Sequence, residues 1–244
     1  PVAVEGSNTI LIRQTDVAGN TSPSSSLTFT LDTTASITVS LDDVNSANVA
    51  NAPISGTSDV GPGRTVTLTI TDANGNTVTT TAITGTDGSY STTADLSGLD
   101  DGNLSITAST TDIAGNPASA TDATSLLDTS AEASISIDPI TADNVLNANE
   151  LGGDNVQITG TVSGDAKAGD TVTLTVGSTT YSGPVIELAG GTLGFAINVG
   201  TGDLRDNTQI EASVTATDSN GNTVTAEADR DYSVDTTANL SVSL

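Results

Sequence analysis

Thr65-Val66-Thr67-Leu68-Thr69-Ile70-Thr71 alternates polar and apolar residues without a break, and Thr171-Val172-Thr173-Leu174-Thr175-Val176 does so again. A period of two built on β-branched residues marks a strand with one buried face. Ser36-Ile37-Thr38-Val39-Ser40-Leu41, Ser134-Ile135-Ser136-Ile137 and Leu240-Ser241-Val242-Ser243-Leu244 carry the same pattern. Between such runs stand Gly61-Pro62-Gly63, Asn74-Gly75-Asn76, Asp87-Gly88, Asp101-Gly102-Asn103 and Gly115-Asn116-Pro117, which supply the positive-φ and Pro positions of tight turns. Strands at this spacing, with no segment of helical period, predict an all-β sandwich.

The plan repeats. Thr15-Asp16-Val17-Ala18-Gly19-Asn20 returns as Thr111-Asp112-Ile113-Ala114-Gly115-Asn116 and as Thr217-Asp218-Ser219-Asn220-Gly221-Asn222. The aspartates are 96 residues apart (16 to 112) and then 106 (112 to 218). A strand later comes Leu31-Asp32-Thr33-Thr34-Ala35, then Leu127-Asp128-Thr129-Ser130-Ala131, then Val234-Asp235-Thr236-Thr237-Ala238. Repeats this long are whole domains, beyond the 20–50 residues of solenoid units. The expected modules are 33–128 and 129–235, flanked by the last strands of a preceding module (1–32) and the first strand of a following one (236–244). The first module is expected to hold strands at 36–41, 53–57, 65–71, 77–84, 89–96, 103–110 and 119–127. The second is expected to hold them at 133–137, 155–162, 170–176, 179–187, 192–199, 208–216 and 223–234.

Composition narrows the function. The 244 residues carry 30 acidic and five basic side chains, a net charge of −25, which repels nucleic-acid phosphates and anionic membranes alike. No apolar run approaches the ~18 residues of a membrane span. His, Cys, Met and Trp are absent and aromatics are 2%, so the cores must be built of Val, Ile, Leu, Ala and Thr. Without His or Cys the common general bases, thiol nucleophiles and zinc sites are missing. Adjacent carboxylates such as Asp42-Asp43 and Asp100-Asp101 point apart and have no aromatic sugar platform. An enzyme is therefore not expected.

The succession of a strand, Asp-x-Ala-Gly-Asn, a strand and Asp-Thr-Thr resembles the bacterial immunoglobulin-like tandem repeats of giant surface adhesins. Those repeats form the extender regions of biofilm-associated and RTX-type adhesins exported by type I secretion. Ser55-Gly56-Thr57-Ser58-Asp59-Val60-Gly61-Pro62-Gly63-Arg64, Leu99-Asp100-Asp101-Gly102-Asn103-Leu104 and the variant Thr159-Gly160-Thr161-Val162-Ser163-Gly164-Asp165 add to the likeness. Pro, usual after the linker Ala in that family, is missing after Ala35, Ala131 and Ala238. The resemblance implies tandem immunoglobulin-like sandwiches of about seven strands each, in Greek-key order. It also implies Ca2+ at the module junctions.

Strand direction gives a separate reason to expect a cation. In a seven-strand sandwich the second-to-third, fourth-to-fifth and sixth-to-seventh connections lie at the pole where the linker enters. Asp32 is thereby expected near Asp59, Asp87 and Asp112, and Asp128 near Asp165 or Asp170 and Asp218. Asp16 and Asp235 belong to the junctions before and after. Carboxylates converging without Lys or Arg repel one another, and a hard dication with six to eight oxygen ligands relieves this. Asn20, Asn116 and Asn222 could complete such shells. Each Asp also has a plainer use as a turn former bonding its own backbone, the expected use of Asp72, Asp87 and Asp101.

The expected function is a structural extender of a bacterial cell-surface adhesin, extracellular, rigidified by Ca2+ between modules. It would hold a distal tip toward a host cell, surface or other bacteria. The alternatives are a module binding a glycan, ice or a partner cell, and a subunit of an extracellular filament or surface layer with contacts between chains.

Overall fold

The computed structural model describes residues 2–241, and the chain divides into two units with the boundary between Leu127 and Asp128. In the first unit, β1 (Gly6–Ile12) and β2 (Ser25–Leu31) pair antiparallel as a hairpin. Then come β3 (Ser40–Leu41), β4 (Ala52–Thr57), β5 (Thr65–Thr71), β6 (Thr77–Ile83), β7 (Ser89–Ala94), β8 (Gly102–Asn103), β9 (Ser105–Thr111), β10 (Pro117–Asp122) and β11 (Leu126–Leu127). One sheet has the order β3-β4-β7 and the other β10-β9-β5-β6. The first strand then leaves its sheet, and Val44 bridges Leu127 in parallel. A three-on-four arrangement whose first strand changes sheet to run beside the last is immunoglobulin-like.

The second unit repeats the layout. It contains β12 (Ala133–Ile137), β13 (Val145–Asn147), β14 (Asn155–Gly164), β15 (Thr171–Val176), β16 (Thr179–Pro184), β17 (Ile186–Glu187), β18 (Leu193–Gly200), β19 (Gln209–Thr217), β20 (Thr223–Asp231) and β21 (Ser233–Asp235). Its sheets are β12-β14-β18-β17 and β16-β15-β19-β20, and β13 pairs parallel with β21. Here Pro139 stands where the first strand leaves its sheet, since a Pro cannot donate to a ladder.

The alternation is what builds the cores. Val66, Leu68 and Ile70 of β5 are fully buried while the intervening Thr face outward, and Val172, Leu174 and Val176 repeat this in β15. Each such side chain contributes ~1.5–3 kcal/mol by leaving water. With so few aromatics, the large ring on the fifth strand is seated by a glycine. In the first unit Tyr90 lies over Gly56, where a Cβ would overlap both the ring and the Thr38 carbonyl. In the second unit Phe195 lies over Gly160 in the same way, beside the Ser136 carbonyl. The Tyr90 hydroxyl donates to that Thr38 carbonyl, and burial pushes its pKa up to about 12.

Several expected strands are shorter or broken. The strand expected at 36–41 pairs regularly only over Ser40–Leu41, with an isolated bridge from Ile37 to Ser58. Those expected at 103–110, 119–127, 179–187 and 223–234 are each divided into two pieces. A short helix, α1 (Thr201–Asp206), fills the connection after β18 and buries Leu204. Residues 236–241 form no strand, and 242–244, the rest of the expected final strand, lie outside the described residues.

Candidate functional site

The repeated Asp-x-x-Gly-Asn is first a loop. Asp112 Oδ1 accepts the backbone N–H of Gly115 (2.7 Å) and of Asn116 (2.8 Å), and Oδ2 accepts the Asn116 side-chain amide (2.7 Å). Gly115 takes φ 97°, a value that L side chains rarely adopt. Asp16 binds the N–H of Ala18 and Asn20 and the Asn20 amide, and Asp218 binds the N–H of Asn220 and Asn222 and the Asn222 amide. Thr71-Asp72-Ala73-Asn74-Gly75-Asn76 is a fourth copy, between β5 and β6, with the same bonds from Asn74 and Asn76. These donors hold the carboxylates below their ordinary pKa. The Asn20 amide leads at Asp16 and the Asn222 amide at Asp218. At Asp112 burial pushes the other way and is outweighed. Asp72 is pulled down to about 2, chiefly by the backbone N–H of Asp100 and then by the Asn76 amide.

The asparagine of the loop reaches further, to the linker. Asn116 Nδ2 donates to the Asp32 carbonyl (3.1 Å), and Asn222 Nδ2 donates to the Asp128 carbonyl (2.8 Å). Four residues along, a second fastening follows. Asp59 accepts the Ser36 N–H and hydroxyl, both at 2.7 Å, and Asp165 accepts the Glu132 N–H at 2.8 Å. In each unit, then, the loop after the sixth strand grips the linker Asp, and the Asp after the second strand grips the residue four further on. In the first unit Glu5 adds a third hold through the Thr33 N–H (2.9 Å) and hydroxyl (2.6 Å). The Thr33 hydroxyl and N–H draw the Glu5 pKa down, and the Ser36 N–H and hydroxyl do the same at Asp59.

Each expected ligand can now be placed. Asp32 and Asp112 are joined through Asn116, and the Asp112 charge is felt by both Asp59 and Glu5. Asp128 and Asp218 are joined through Asn222, with Asp165 holding Glu132. Asp16 lies in the hairpin tip bound to its own loop. Asp235 caps Thr237, and Asp87 caps Ser89. Among the described residues, no group of three or more acidic side chains stands ready-made as a ligand set. The donors at the pole are carboxylate and carbonyl oxygens, the chemistry that suits a hard dication.

The expectation that these poles hold no Lys or Arg is corrected. Arg64 Nε donates to the Thr111 carbonyl (2.8 Å) and Nη2 to that of Asp112 (2.9 Å), while Lys167 Nζ donates to the Thr217 carbonyl (2.8 Å). Two cations from different loop positions serve the equivalent carbonyl, which no alignment of the repeats by eye reveals. Glu5 and Ser36 were missed as well. The constant spacing from the linker Asp to Ser36 and Glu132 was the available signal.

No protein-family model matches the chain, and no curated protein matches it. Solved structures do match. Over 95% of its length the chain is 30% identical to a structure of a 1.5-MDa bacterial ice-binding adhesin studied for its retention on the host cell surface, with a TM-score of 0.65, and it covers 74% of that structure. The chain belongs to the large bacterial adhesins with immunoglobulin-like modules. A second adhesin, described as Ca2+-stabilized and as helping an Antarctic bacterium reach out and bind ice, is 31% identical over 96% of this chain, with a TM-score of 0.63. This adhesin segment spans 58% of that second structure.

Proposed function

We propose that this segment is part of the extender of a bacterial cell-surface adhesin, and that Ca2+ stiffens its module junctions. The observation that carries the reading is the linker clamp made twice, by Asn116 on Asp32 with Asp59 on Ser36, and by Asn222 on Asp128 with Asp165 on Glu132. A contact repeated at the same place in successive modules is what an array needs if its joints set its length. The modules in this reading are 33–128 and 129–235. The hairpin β1–β2 supplies the closing strands of a preceding module, and 236–244 opens a following one. The exposed Ile10, Ile12, Leu27 and Phe29 of that hairpin support its completion by further strands.

Asp32, Asp59 and Asp112 would hold Ca2+ at one junction, Asp128, Asp165 and Asp218 at the next, and Asp16 and Asp235 would serve those before and after. The ion would neutralise carboxylates whose mutual repulsion otherwise opposes a fixed joint. The chain's own residues do the rest. Asn116 and Asn222 fix the linker carbonyl, Asp59 and Asp165 fix the residue four further along, and Arg64 and Lys167 brace the loop backbone. The full protein, exported by type I secretion, would carry an adhesive tip beyond this segment and act in adhesion and biofilm formation. Kinship with an adhesin described as Ca2+-stabilized supports the choice of ion.

The test is thermal unfolding with and without Ca2+. Extracellular Ca2+ modules bind with Kd around 10⁻⁴–10⁻³ M, so about 10 mM Ca2+ adds about 1.4–2.7 kcal/mol per site. The wild-type Tm should rise accordingly. Asp32→Asn, which keeps the clamped carbonyl, should retain the Ca2+-free Tm and lose part of the rise. A Tm indifferent to Ca2+ in the wild type would overturn the metal reading.

A further inference from the structure

The outer strands of the four-stranded sheets differ in how they are protected. β10 begins with Pro117 and ends with Asp122, and β20 carries Glu227, Asp229, Arg230 and Asp231. β16 ends at Pro184, β17 contains Glu187, and β12 is bracketed by Glu132 and Asp138. Charges, prolines and short length are the usual devices that keep sheet edges from pairing. The remaining outer strand, β6, has none of them. Thr77-Val78-Thr79-Thr80-Thr81-Ala82-Ile83 is uncharged, lacks Pro, and pairs with β5 in an unbroken register from Thr71↔Thr77 to Thr65↔Ile83.

The ladder also fixes which backbone groups are free. Asp72 N–H donates to the Asn76 carbonyl, so that pair is hydrogen-bonded, and antiparallel pairs alternate. Val78, Thr80 and Ala82 therefore turn N–H and C=O toward β5. Thr77, Thr79, Thr81 and Ile83 turn theirs to the open edge, where the sheet ends. Behind that edge the outward face of the sheet is hydroxyl-covered and uncharged, with Thr79, Thr69, Thr107 and Thr121 in one row and Thr81, Thr67, Ser109 and Ser119 in the next.

We propose that two copies of this chain pair side by side through β6. At a net charge of −25, copies repel over most of their surface, and an uncharged edge is where they can approach. The edge is also self-complementary. Antiparallel pairing about a two-fold axis through Thr80 sets Thr77 opposite Ile83 and Thr79 opposite Thr81, so every outward residue meets an outward residue of the partner. Each then exchanges both backbone bonds, and the exposed Ile83 is covered. Neighbouring extenders on one surface would thereby associate laterally.

The experiment is the weight-average mass of the whole chain by sedimentation equilibrium, from micromolar to millimolar, in EGTA so that Ca2+ plays no part. The wild type should move from the one-copy toward the two-copy mass with concentration, and more readily at 0.5 M than at 0.05 M NaCl as repulsion is screened. The double variant Thr79→Glu/Thr81→Glu, and separately Thr79→Pro, which removes one outward donor without adding charge, should weaken association at least tenfold at unchanged wild-type-like Tm. Thr180→Glu on β16 should leave it unchanged. A wild type that keeps the one-copy mass at millimolar concentration in high salt would overturn the proposal. So would well-folded β6 variants that associate like the wild type.

Discussion

Gly56 and Gly160 do at residue scale what a larger aromatic complement does elsewhere: by having no side chain they let one ring cross a strand and fill the core. Gly56→Ala and Gly160→Ala should each cost about 2–3 kcal/mol through overpacking, which for modules of this size is a fall in Tm of roughly 10 °C or more. Thermal denaturation of the purified chain reads this directly. Asp72 permits a second residue-scale prediction. Its folded pKa of about 2 lies below its ordinary 3.8, so its contribution is fully present above pH 3.8 and is lost as pH falls toward 2. Asp72→Asn should lower stability at neutral pH and make the acid limb between pH 4 and 2 shallower. An acid limb as steep as the wild type's would count against this role. The sequence displayed the glycines, since a Gly inside an alternating strand flags a close approach. It did not display what approaches, because Thr38 and Tyr90 arrive from other stretches of the chain.

At the scale of elements, strands whose pattern and flanking turns agree were legible. Thr65–Thr71 and Ala133–Ile137 lie where alternation put them, since their pairing partners only confirm a face the side chains already choose. The parallel pairing of β13 with β21 was not legible, because Val145 and Ser233 meet only in the folded chain. α1 was equally hidden, for Thr201-Gly202-Asp203-Leu204-Arg205-Asp206 has too few residues to display a period. The loops were half legible. Their recurrence was plain, yet the fourth copy at Asp72 shows that the motif is a way of building a tight connection before it is anything else. What distinguishes Asn116 and Asn222 is the linker carbonyl each finds. Asn116→Ala and Asn222→Ala should each cost about 1–2 kcal/mol, since each leaves the Asp carboxylate and the linker carbonyl short of a donor. Amide hydrogen exchange in the linker and the following strand should rise selectively, and a uniform loss of protection across the module would contradict a clamp.

For the whole molecule, composition and repetition are the features most legible in the sequence. A chain with five basic and 30 acidic residues repels nucleic-acid phosphates, and repeats of domain length mark it as an array of modules. Two of the four copies of the loop sharpen that account: Asp112 and Asp218 build the loop, Asn116 and Asn222 carry it to the linker, and Arg64 or Lys167 already braces its backbone. Ca2+ on this view acts on linkers that the chain already holds to the module that follows, so it should stiffen the joints as well as raise the Tm. The most direct measurement is small-angle X-ray scattering of the chain with Ca2+ and with chelator. The account predicts a longer maximum dimension and a narrower distribution of distances in Ca2+, diminished in Asp32→Asn. A maximum dimension that is the same in both conditions would contradict it.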